Sequence, residues 1–343
     1  MYYIIIDCGT TNSRAYVVDA VGTVLGLAKK TVGVKDTSVT GSRDTLRSGL
    51  REIIARAIEL AGLQPSQIAA VLSSGMITSE IGLHEILHAD APCGADELAA
   101  SITRVDDTGL LDGVPVYFVR GIRNPIPQNG ERATRTVGVL DFMRGEETQI
   151  VGMMQCADFQ LPAMVVGLSS HTKFMPIGAD GKILGSLSTL SGQLFDAVVN
   201  GTFLHKSVVR GDHVEARPED YFDEKIVDDA MNWNRELGLA RTLMFPRFLD
   251  VLLDTKWYER ELFLDALVAA EDMLAVNQLK LFTQTPLTNY YLIGNSVRCR
   301  LYDYIIRKMM PGTTVTCISN SKTIDRFSID GMLHIARKAG LVQ

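Results

Sequence analysis

The chain opens on an apolar run that stops at an acid, Tyr2-Tyr3-Ile4-Ile5-Ile6-Asp7. Cys8-Gly9-Thr10-Thr11-Asn12-Ser13-Arg14 follows, then a second apolar run, Ala15-Tyr16-Val17-Val18. Short runs of this kind read as buried strands, and Gly9 lets the backbone turn tightly between them. Successive N–H groups and small hydroxyls in such a turn can converge on phosphate oxygens. Asp7 would repel bare phosphate, so it fits that ligand only with a divalent cation between the two. Taken alone, the motif is equally a plain β-hairpin whose polar turn faces water and whose aspartate caps the turn.

A second copy favours the ligand. Met164-Val165-Val166-Gly167-Leu168-Ser169-Ser170-His171-Thr172-Lys173-Phe174-Met175-Pro176-Ile177 is again an apolar run, a Ser/Thr-rich turn and a return strand. A third strand is expected after each, over Ala20–Gly26 and over Ala179–Gly185. The period is about half the chain, which argues for a duplicated domain and not a solenoid. Two polar hairpins, one per domain, facing a cleft could grip a polyphosphate from both sides.

The 343 residues suffice for two ordinary domains, and 46% hydrophobic with 22% charged residues is the composition of a soluble globular protein. A net charge of −6 argues against nucleic acid as partner. The five cysteines are scattered without a CxxC pair, so they read as reduced apolar residues and not as a zinc or disulfide framework. The first apolar run is too short for a leader, and no stretch reaches the ~20 apolar residues of a membrane span, so a cytoplasmic protein is expected.

Ser42 can cap a helix with apolar Leu46, Leu50, Ile53, Ile54, Ala57 and Ile58 on one face, ended by Gly62. A strand over Ile68–Leu72 leads into a polar loop, Ser73–Glu80. A helix over Ala95–Ile102, a strand over Val116–Val119 and an exposed loop over Arg120–Arg135 complete a βββαβαβα layout. The second half is read as mostly helical after its hairpin, with helices over Gly192–Asn200, Asp220–Asn234, Pro246–Leu253 and Glu259–Leu281. It closes with a strand at Tyr290–Ile293, a helix through Ile306, a strand at Thr314–Ile318 and a helix over Asp325–Lys338. The domains are placed at 1–157 and 158–343, and the last helix is free to pack back on the first domain.

The acidic Asp-x-Gly-Thr turn, duplicated, resembles the actin, hexokinase and sugar-kinase superfamily. More narrowly, the chain resembles the 2-dehydro-3-deoxygalactonokinase family. That likeness rests on the segment from Asp7 to Ala15, Ser74-Gly75-Met76-Ile77-Thr78-Ser79, Ala91-Pro92-Cys93-Gly94 with Glu97-Leu98-Ala99, and above all Met143-Arg144-Gly145-Glu146-Glu147-Thr148-Gln149. His171-Thr172-Lys173 and Leu292-Ile293-Gly294-Asn295-Ser296 extend it to nearly the full length. The resemblance implies duplicated ribonuclease H-like α/β domains with mixed central sheets and an interdomain cleft. The first domain would bind sugar acid and phosphate, and the second would bind the nucleotide. It implies phosphorylation by ATP, with magnesium, of the terminal hydroxyl of 2-dehydro-3-deoxy-D-galactonate. Its partner is thus a small sugar acid, with no nucleic acid and no membrane, and a homodimer is left open. Two departures stand out. The family's second turn reads Pro-Gly-Thr-His where this chain has Leu168-Ser169-Ser170-His171, and its Thr-Gly-Glu-Leu is here Ser191-Gly192-Gln193-Leu194.

Phosphoryl transfer needs positioning, charge neutralisation and an acceptor for the hydroxyl proton. Asp7 is the expected magnesium ligand, and Gly9, Thr10 and Thr11 are expected at phosphate oxygens. In the superfamily the base lies at the start of the helix before the second hairpin. That position makes Glu146 the expected base and Glu147 its reserve, although acids also simply favour helix starts. Arg14 and Arg144 suit a substrate carboxylate, with Ser74, Gly75, Met76 and Thr78 around it, yet either arginine could instead brace loops through Asp7 or Glu147. Ser170 and Lys173 are expected at the phosphates, with His171 either orienting the turn or structural. Gly294 and Asn295 are expected at adenosine, unless Asn295 or Ser296 is only a helix cap. Competing readings are a kinase for another 2-keto-3-deoxy acid and a non-catalytic ATP- or sugar-acid-binding paralogue. A nucleotide-dependent dehydrogenase is set aside because no GxGxxG turn follows the first strand.

Overall fold

A computed structural model describes residues 1–342 except 129, 212 and 213. Two compact units divide the chain. The first holds Met1–Pro162, Ile177–Ser186 and Asn320–Gln343, and the second holds Ala163–Pro176 and Leu187–Ser319.

The first unit begins with the strands β1 (Tyr2–Cys8), β2 (Ser13–Asp19) and β3 (Val24–Lys30), then the helices α1 (Val34–Thr40) and α2 (Asp44–Leu60). β4 (Ile68–Gly75), β5 (Ala89–Asp90), α3 (Ala95–Ala100), β6 (Thr103–Val105), β7 (Val116–Phe118) and β8 (Ile122–Arg123) follow. α4 (Ala133–Thr136), β9 (Phe142–Met143) and α5 (Glu146–Met153) complete that stretch. The second unit contains β10 (Ala163–Leu168), most of β11 (Thr172–Ile177), β12 (Leu187–Thr189), α6 (Ser191–Gly201), α7 (His205–Val208) and α8 (Glu224–Leu237). It continues through α9 (Leu239–Thr242), α10 (Phe245–Val251), α11 (Trp257–Val276), β13 (Asn289–Gly294), α12 (Ser296–Met309) and β14 (Thr314–Ile318). The last helix, α13 (Ser321–Lys338), belongs to the first unit.

The large sheets run β3-β2-β1-β4-β7-β6 and β12-β11-β10-β13-β14. In each, a meander of three strands is followed by further strands added beside the first, three in one sheet and two in the other. That common order is the duplication seen in the hairpins. Both sheets are mixed: β1 is antiparallel to β2 and parallel to β4, and β13 is parallel to both β10 and β14 while β11 and β12 are antiparallel. The α/β fold with mixed central sheets is therefore present.

α2 buries Leu46, Leu50, Ile53, Ile54, Ala57 and Ile58 against Ile4, Ile6 and Val17 of the sheet. The Ser42 hydroxyl accepts from the Asp44 N–H at 3.1 Å. Beyond α2, Gly62 takes φ +68°, the left-handed turn expected of a glycine helix stop. In the second unit, α11 presents Leu262, Phe263, Ala266 and Leu267 to Met164, Val166 and Leu292, and α12 adds Leu301, Tyr302 and Ile305.

Two expectations need correction. Ala179–Gly185 is not the third strand of the second sheet. Its Ile183 exchanges both backbone hydrogen bonds with Cys93, at 3.0 and 2.9 Å, so that backbone is spent inside the first unit. β12 takes the place, pairing Lys173 with Ser188. The Arg120–Arg135 segment is only partly an exposed loop, because β5, β8 and β9 form a small sheet there and Ile122 is fully buried. Asn124 is buried as well, its amide donating to Ser186 O at 2.9 Å and its Oδ1 accepting from Ser186 N at 2.9 Å. The five cysteines are free, Cys156 and Cys317 exposed and Cys8, Cys93 and Cys299 buried.

α5 and α13 cross at glycines. A Cβ on Gly331 would lie 1.7 Å from Thr148 O, and one on Gly152 would lie 1.9 Å from Phe327 O. α13 is tied further by Arg337 to Ala20 O at 2.6 Å and by Lys338 to Asp96 at 2.6 Å. Gly331→Ala and Gly152→Ala should each lower stability by about 1–3 kcal/mol or more, the cost of overpacking. Gly138→Ala, where an added methyl meets nothing within 4 Å, should stay within about 0.5 kcal/mol of the parent. Urea unfolding midpoints with unchanged slopes would check this.

Candidate active site

Three backbone segments of the first unit converge: the end of β1, the end of β4 and the start of α5. Asp7 pairs in register with Ser74 on β4 and with Arg14 on β2. Gly75 and Gly145 hold φ of +87° and +109°, values that L side chains rarely adopt. A Cβ on Gly145 would lie 3.4 Å from Gly75 Cα, and one on Gly75 would lie 3.1 Å from Cys8 O. The contact brings the N-terminus of α5 beside Asp7. Asp7, Ser74, Arg144, Glu146, Gln149 and Ser328 help line a cavity of about 200 Å³ there.

The adjacent glutamates part company. Glu147 is fully buried, and its two oxygens accept from the Gly145 N–H at 2.9 and 2.8 Å. Arg144 lies within its electrostatic reach as a counter-charge. Glu146 lines the cavity, with its Oε2 accepting from the Arg144 N–H at 3.1 Å. Consecutive helical residues point about 100° apart, which is why one glutamate faces the cavity and the other the interior.

Arg144 braces as well as lines. Its Nη1 donates to Thr78 Oγ1 at 2.7 Å and to Ile86 O at 3.0 Å, and Nη2 meets His88 Nδ1 at 3.4 Å. Burial lowers its pKa, and Glu147, Glu80 and Glu85 oppose that. Thr78 is fully buried and donates to Gly75 O at 2.9 Å, while the Ser74 hydroxyl pairs with Thr148 at 3.2 Å. Met76 is half-buried against the core of the unit. Arg14 is likewise engaged: it stands 3.8 Å from Asp7 and pairs closely with Asp325 of α13. Lys29 lies 3.9 Å from the second oxygen of Asp325. Asp325 escaped the reading of the sequence, where it appears only as the start of the last helix.

Half the Asp7 side-chain surface stays open, yet the carboxylate sits among protein walls. Burial pushes its pKa up, Arg14 pulls it down, and Asp325 and Glu146 raise it again. The protein thus leaves the ionised form incompletely stabilised, a condition that a cation relieves. Among the described residues no group of three or more His, Cys, Asp or Glu could cage a metal. Magnesium held by one or two carboxylates plus substrate phosphates needs no such cage, so Asp7 fits that donor set. Beside it, the Gly9 N–H donates to Asn12 O at 3.0 Å, and the carbonyls of Gly9 and Thr10 accept from Val34 and Lys35 at 3.3 and 2.9 Å. The turn therefore rests on the start of α1 and leaves Thr10 and Thr11 exposed at its tip.

The second unit has its own cavity, of about 630 Å³, where Ser169, Ser170, Gln193 and Asn295 meet Asp265 and Arg298. Gly192 lets α6 abut the turn, since a Cβ there would lie 2.1 Å from Ser169 O. Ser170 Oγ lies 3.2 Å from His171 Nδ1. Asn295 caps α12, its Oδ1 accepting from the Arg298 N–H at 2.9 Å. Lys173 stands on β11 opposite Ser188, and Gly294 gives β13 a close approach to β10, a Cβ there lying 2.7 Å from Leu168 O. Neither is part of the cavity lining.

The floor of this cavity also escaped the sequence reading. Asp265 Oδ1 and Arg298 Nε lie 3.5 Å apart, and neither atom has a hydrogen-bond partner among the described residues. Arg298 also donates to Tyr302 Oη at 3.1 Å, and Tyr302 donates to Asp272 at 2.5 Å. Burial raises the pKa of Asp265 against Arg298, and that of Glu261 against Arg217. The available signal was the spacing of Glu261, Asp265 and Asp272, four and seven residues apart in a helix whose stretch from Leu262 to Ala270 is apolar but for Asp265.

The sequence pattern of the 2-keto-3-deoxy-galactonokinase family matches residues 7–333. The chain belongs to that family. A Rhizobium meliloti (strain 1021) protein named a probable 2-dehydro-3-deoxygalactonokinase is 27% identical over 249 residues, 71% of this chain and 70% of the relative. A solved structure from Sinorhizobium meliloti, provisionally named a 2-dehydro-3-deoxygalactonokinase, superposes with a TM-score of 0.71 at 22% identity, over 98% of each chain. At that identity it attests the fold alone. Family membership makes the chain a carbohydrate kinase that uses ATP, acting on a small keto-deoxy sugar acid. Among the described residues no helix is long and apolar enough to cross a membrane.

The environments of the two glutamates give opposite expectations for this kinase. Glu147→Gln replaces a buried acceptor pair by a mixed donor and acceptor facing an N–H, and should cost about 1–3 kcal/mol of stability. Glu146→Gln should leave the melting temperature nearly unchanged. Thermal melts of both variants check the assignment.

Proposed function

We propose that this chain transfers the γ-phosphoryl group of ATP to the terminal hydroxyl of 2-dehydro-3-deoxy-D-galactonate, giving the 6-phosphate. The observation that carries the reading is the meeting of Asp7 and Glu146 on one small cavity of the first unit, in a chain of this family. Glu146 is assigned the hydroxyl proton. Its aim is set by the Arg144 N–H, and its place at the first turn of α5 favours the ionised form. Asp7 is assigned the magnesium, directly or through water. When bound, the ion neutralises charge on the transferring phosphoryl group.

Arg144 supplies positive charge to the substrate carboxylate from the cavity wall while its guanidinium stays braced. Gly9, Thr10 and Thr11 are assigned to phosphate oxygens. The cavity of the second unit is assigned to the nucleotide, with Ser170 toward the phosphates and Asn295 toward adenosine. Its unpartnered Asp265 and Arg298 atoms show a floor with hydrogen-bonding capacity to spare, which supports a polar ligand.

An ADP-release assay over a panel of 2-keto-3-deoxy sugar acids tests the substrate, and the highest kcat/KM is expected for the galactonate derivative. Silence across the panel, with ATP still bound in calorimetry, would leave a binding protein. Asp7→Asn keeps the shape and removes the charge, so its activity should fall most steeply at limiting magnesium. Glu146→Gln should retain substrate binding and lower kcat by about 10²-fold or more, the scale of a positioned base. A value within a few-fold of the parent would remove Glu146 from the mechanism.

A further inference from the structure

Asp7 and Arg14 face each other across β1 and β2. Side chains directly opposite on an antiparallel pair are immediate neighbours, so a close ion pair between these two would be the default. That pairing would also be self-defeating, since a guanidinium clamped on Asp7 occupies the oxygens a cation needs. The structure shows it only at long range. Arg14 Nη1 stands 3.8 Å from Asp7 Oδ2 and is held more closely by Asp325 Oδ1. The other oxygen of Asp325 lies 3.9 Å from Lys29, so the carboxylate is forked between two cations. Asp325 comes from α13, 311 residues away in sequence from Arg14, and that helix is fixed independently by the glycine crossing with α5 and by Arg337 and Lys338.

We infer that Asp325 is a positioning residue that draws Arg14 off Asp7 and so keeps Asp7 open to a divalent cation. The inference rests on the reading of Asp7 as the cation's anchor. Asp325 touches neither the cation nor the substrate in this account; it acts through Arg14. An arginine suits the arrangement because its planar fork can satisfy one carboxylate closely while it faces another.

The two routes by which Asp325 could matter are separable. If it merely adds negative charge to the neighbourhood, its loss weakens cation binding whether or not Arg14 is present. If it restrains Arg14, the effect vanishes once Arg14 is gone. A double-mutant cycle makes the distinction. Manganese serves as the probe, its binding followed by electron paramagnetic resonance on the full chain saturated with a non-hydrolysable ATP analogue.

Asp325→Asn should raise the manganese dissociation constant by roughly 3- to 10-fold, the range of coupling between residues in contact. Arg14→Gln alone should leave it equal or lower. In the Arg14→Gln background, Asp325→Asn should then change it by less than about 2-fold. Equal losses in both backgrounds, or no loss in either, would overturn the inference. So would weaker manganese binding by Arg14→Gln, a result that needs no second variant and stands even where Asp325→Asn fails to fold. Asp7→Asn is the reference arm. If it leaves manganese affinity unchanged, the anchor reading falls and this one with it, whereas a loss there beside a silent Asp325→Asn overturns this one alone.

Discussion

Two glycines in contact decide where Asp7 and the Glu146–Glu147 pair of the first unit lie. Gly75 ends β4 and Gly145 precedes α5, both at positive φ, and their backbones lie close enough that a Cβ on Gly145 would touch Gly75 at 3.4 Å. β1 lies beside β4 in parallel register, so the same contact sets α5 against Asp7. At the other end of the helix, Gly152 and Gly331 remove the bulk that would separate α5 from α13. A helix fixed at both ends can hold a carboxylate to the tolerance that proximity catalysis demands. Hydrogen bonds tune the site, but steric permission comes first.

The Glu146–Glu147 pair shows how one helix start serves structure and chemistry together. An unpaired buried carboxylate would be expensive, yet Glu147 is fully buried. It is held there by the Gly145 N–H and the nearby charge of Arg144, and the Arg144 guanidinium in turn ties down the segment after β4. The neighbouring Glu146, held by the Arg144 N–H, is thereby presented at the cavity. The sequence reading preferred Glu146 and kept Glu147 in reserve, and their environments differ in nearly every respect.

Much of the fold was legible because its signals are local. Alternating runs, Gly-containing turns and the helical spacing of Leu46 to Ile58 each depend on a few neighbouring residues, and the corresponding elements are present. The failures are non-local. Nothing within Ala179–Gly185 reveals that Ile183 bridges Cys93 as well as Ile177 at the end of β11. The buried Ile122 and Asn124 belong to a small sheet assembled from three separated stretches. In the site, Asp7 and the Glu146–Glu147 pair were visible as motifs, but Asp325 was not, since its partner lies at the other end of the chain. The choice between ligand and brace for Arg14 and Arg144 was likewise open, because it depends on partners brought by other elements. Both arginines turn out to have carboxylate or loop partners of their own.

That engagement changes how the charge of the site is understood. Asp7, Asp325, Glu146 and Glu147 lie around Arg14, Lys29 and Arg144, and Glu80 and Glu85 also act on Arg144. The carboxylates outnumber these cations, and the arginines already serve specific acids. A polyphosphate brought to such a surface meets net repulsion, which the fixed arginines are poorly placed to cancel. The raised pKa of Asp7 comes first from burial, which Arg14 only partly offsets, and the neighbouring Asp325 and Glu146 add to it. A divalent cation arriving with the nucleotide would satisfy Asp7 and the phosphate together, whereas a protein-borne lysine in that place would satisfy Asp7 permanently and hold the recess against the substrate. The acid excess therefore favours a cation that comes and goes with the nucleotide, and it makes the restraint of Arg14 as consequential as the presence of Asp7.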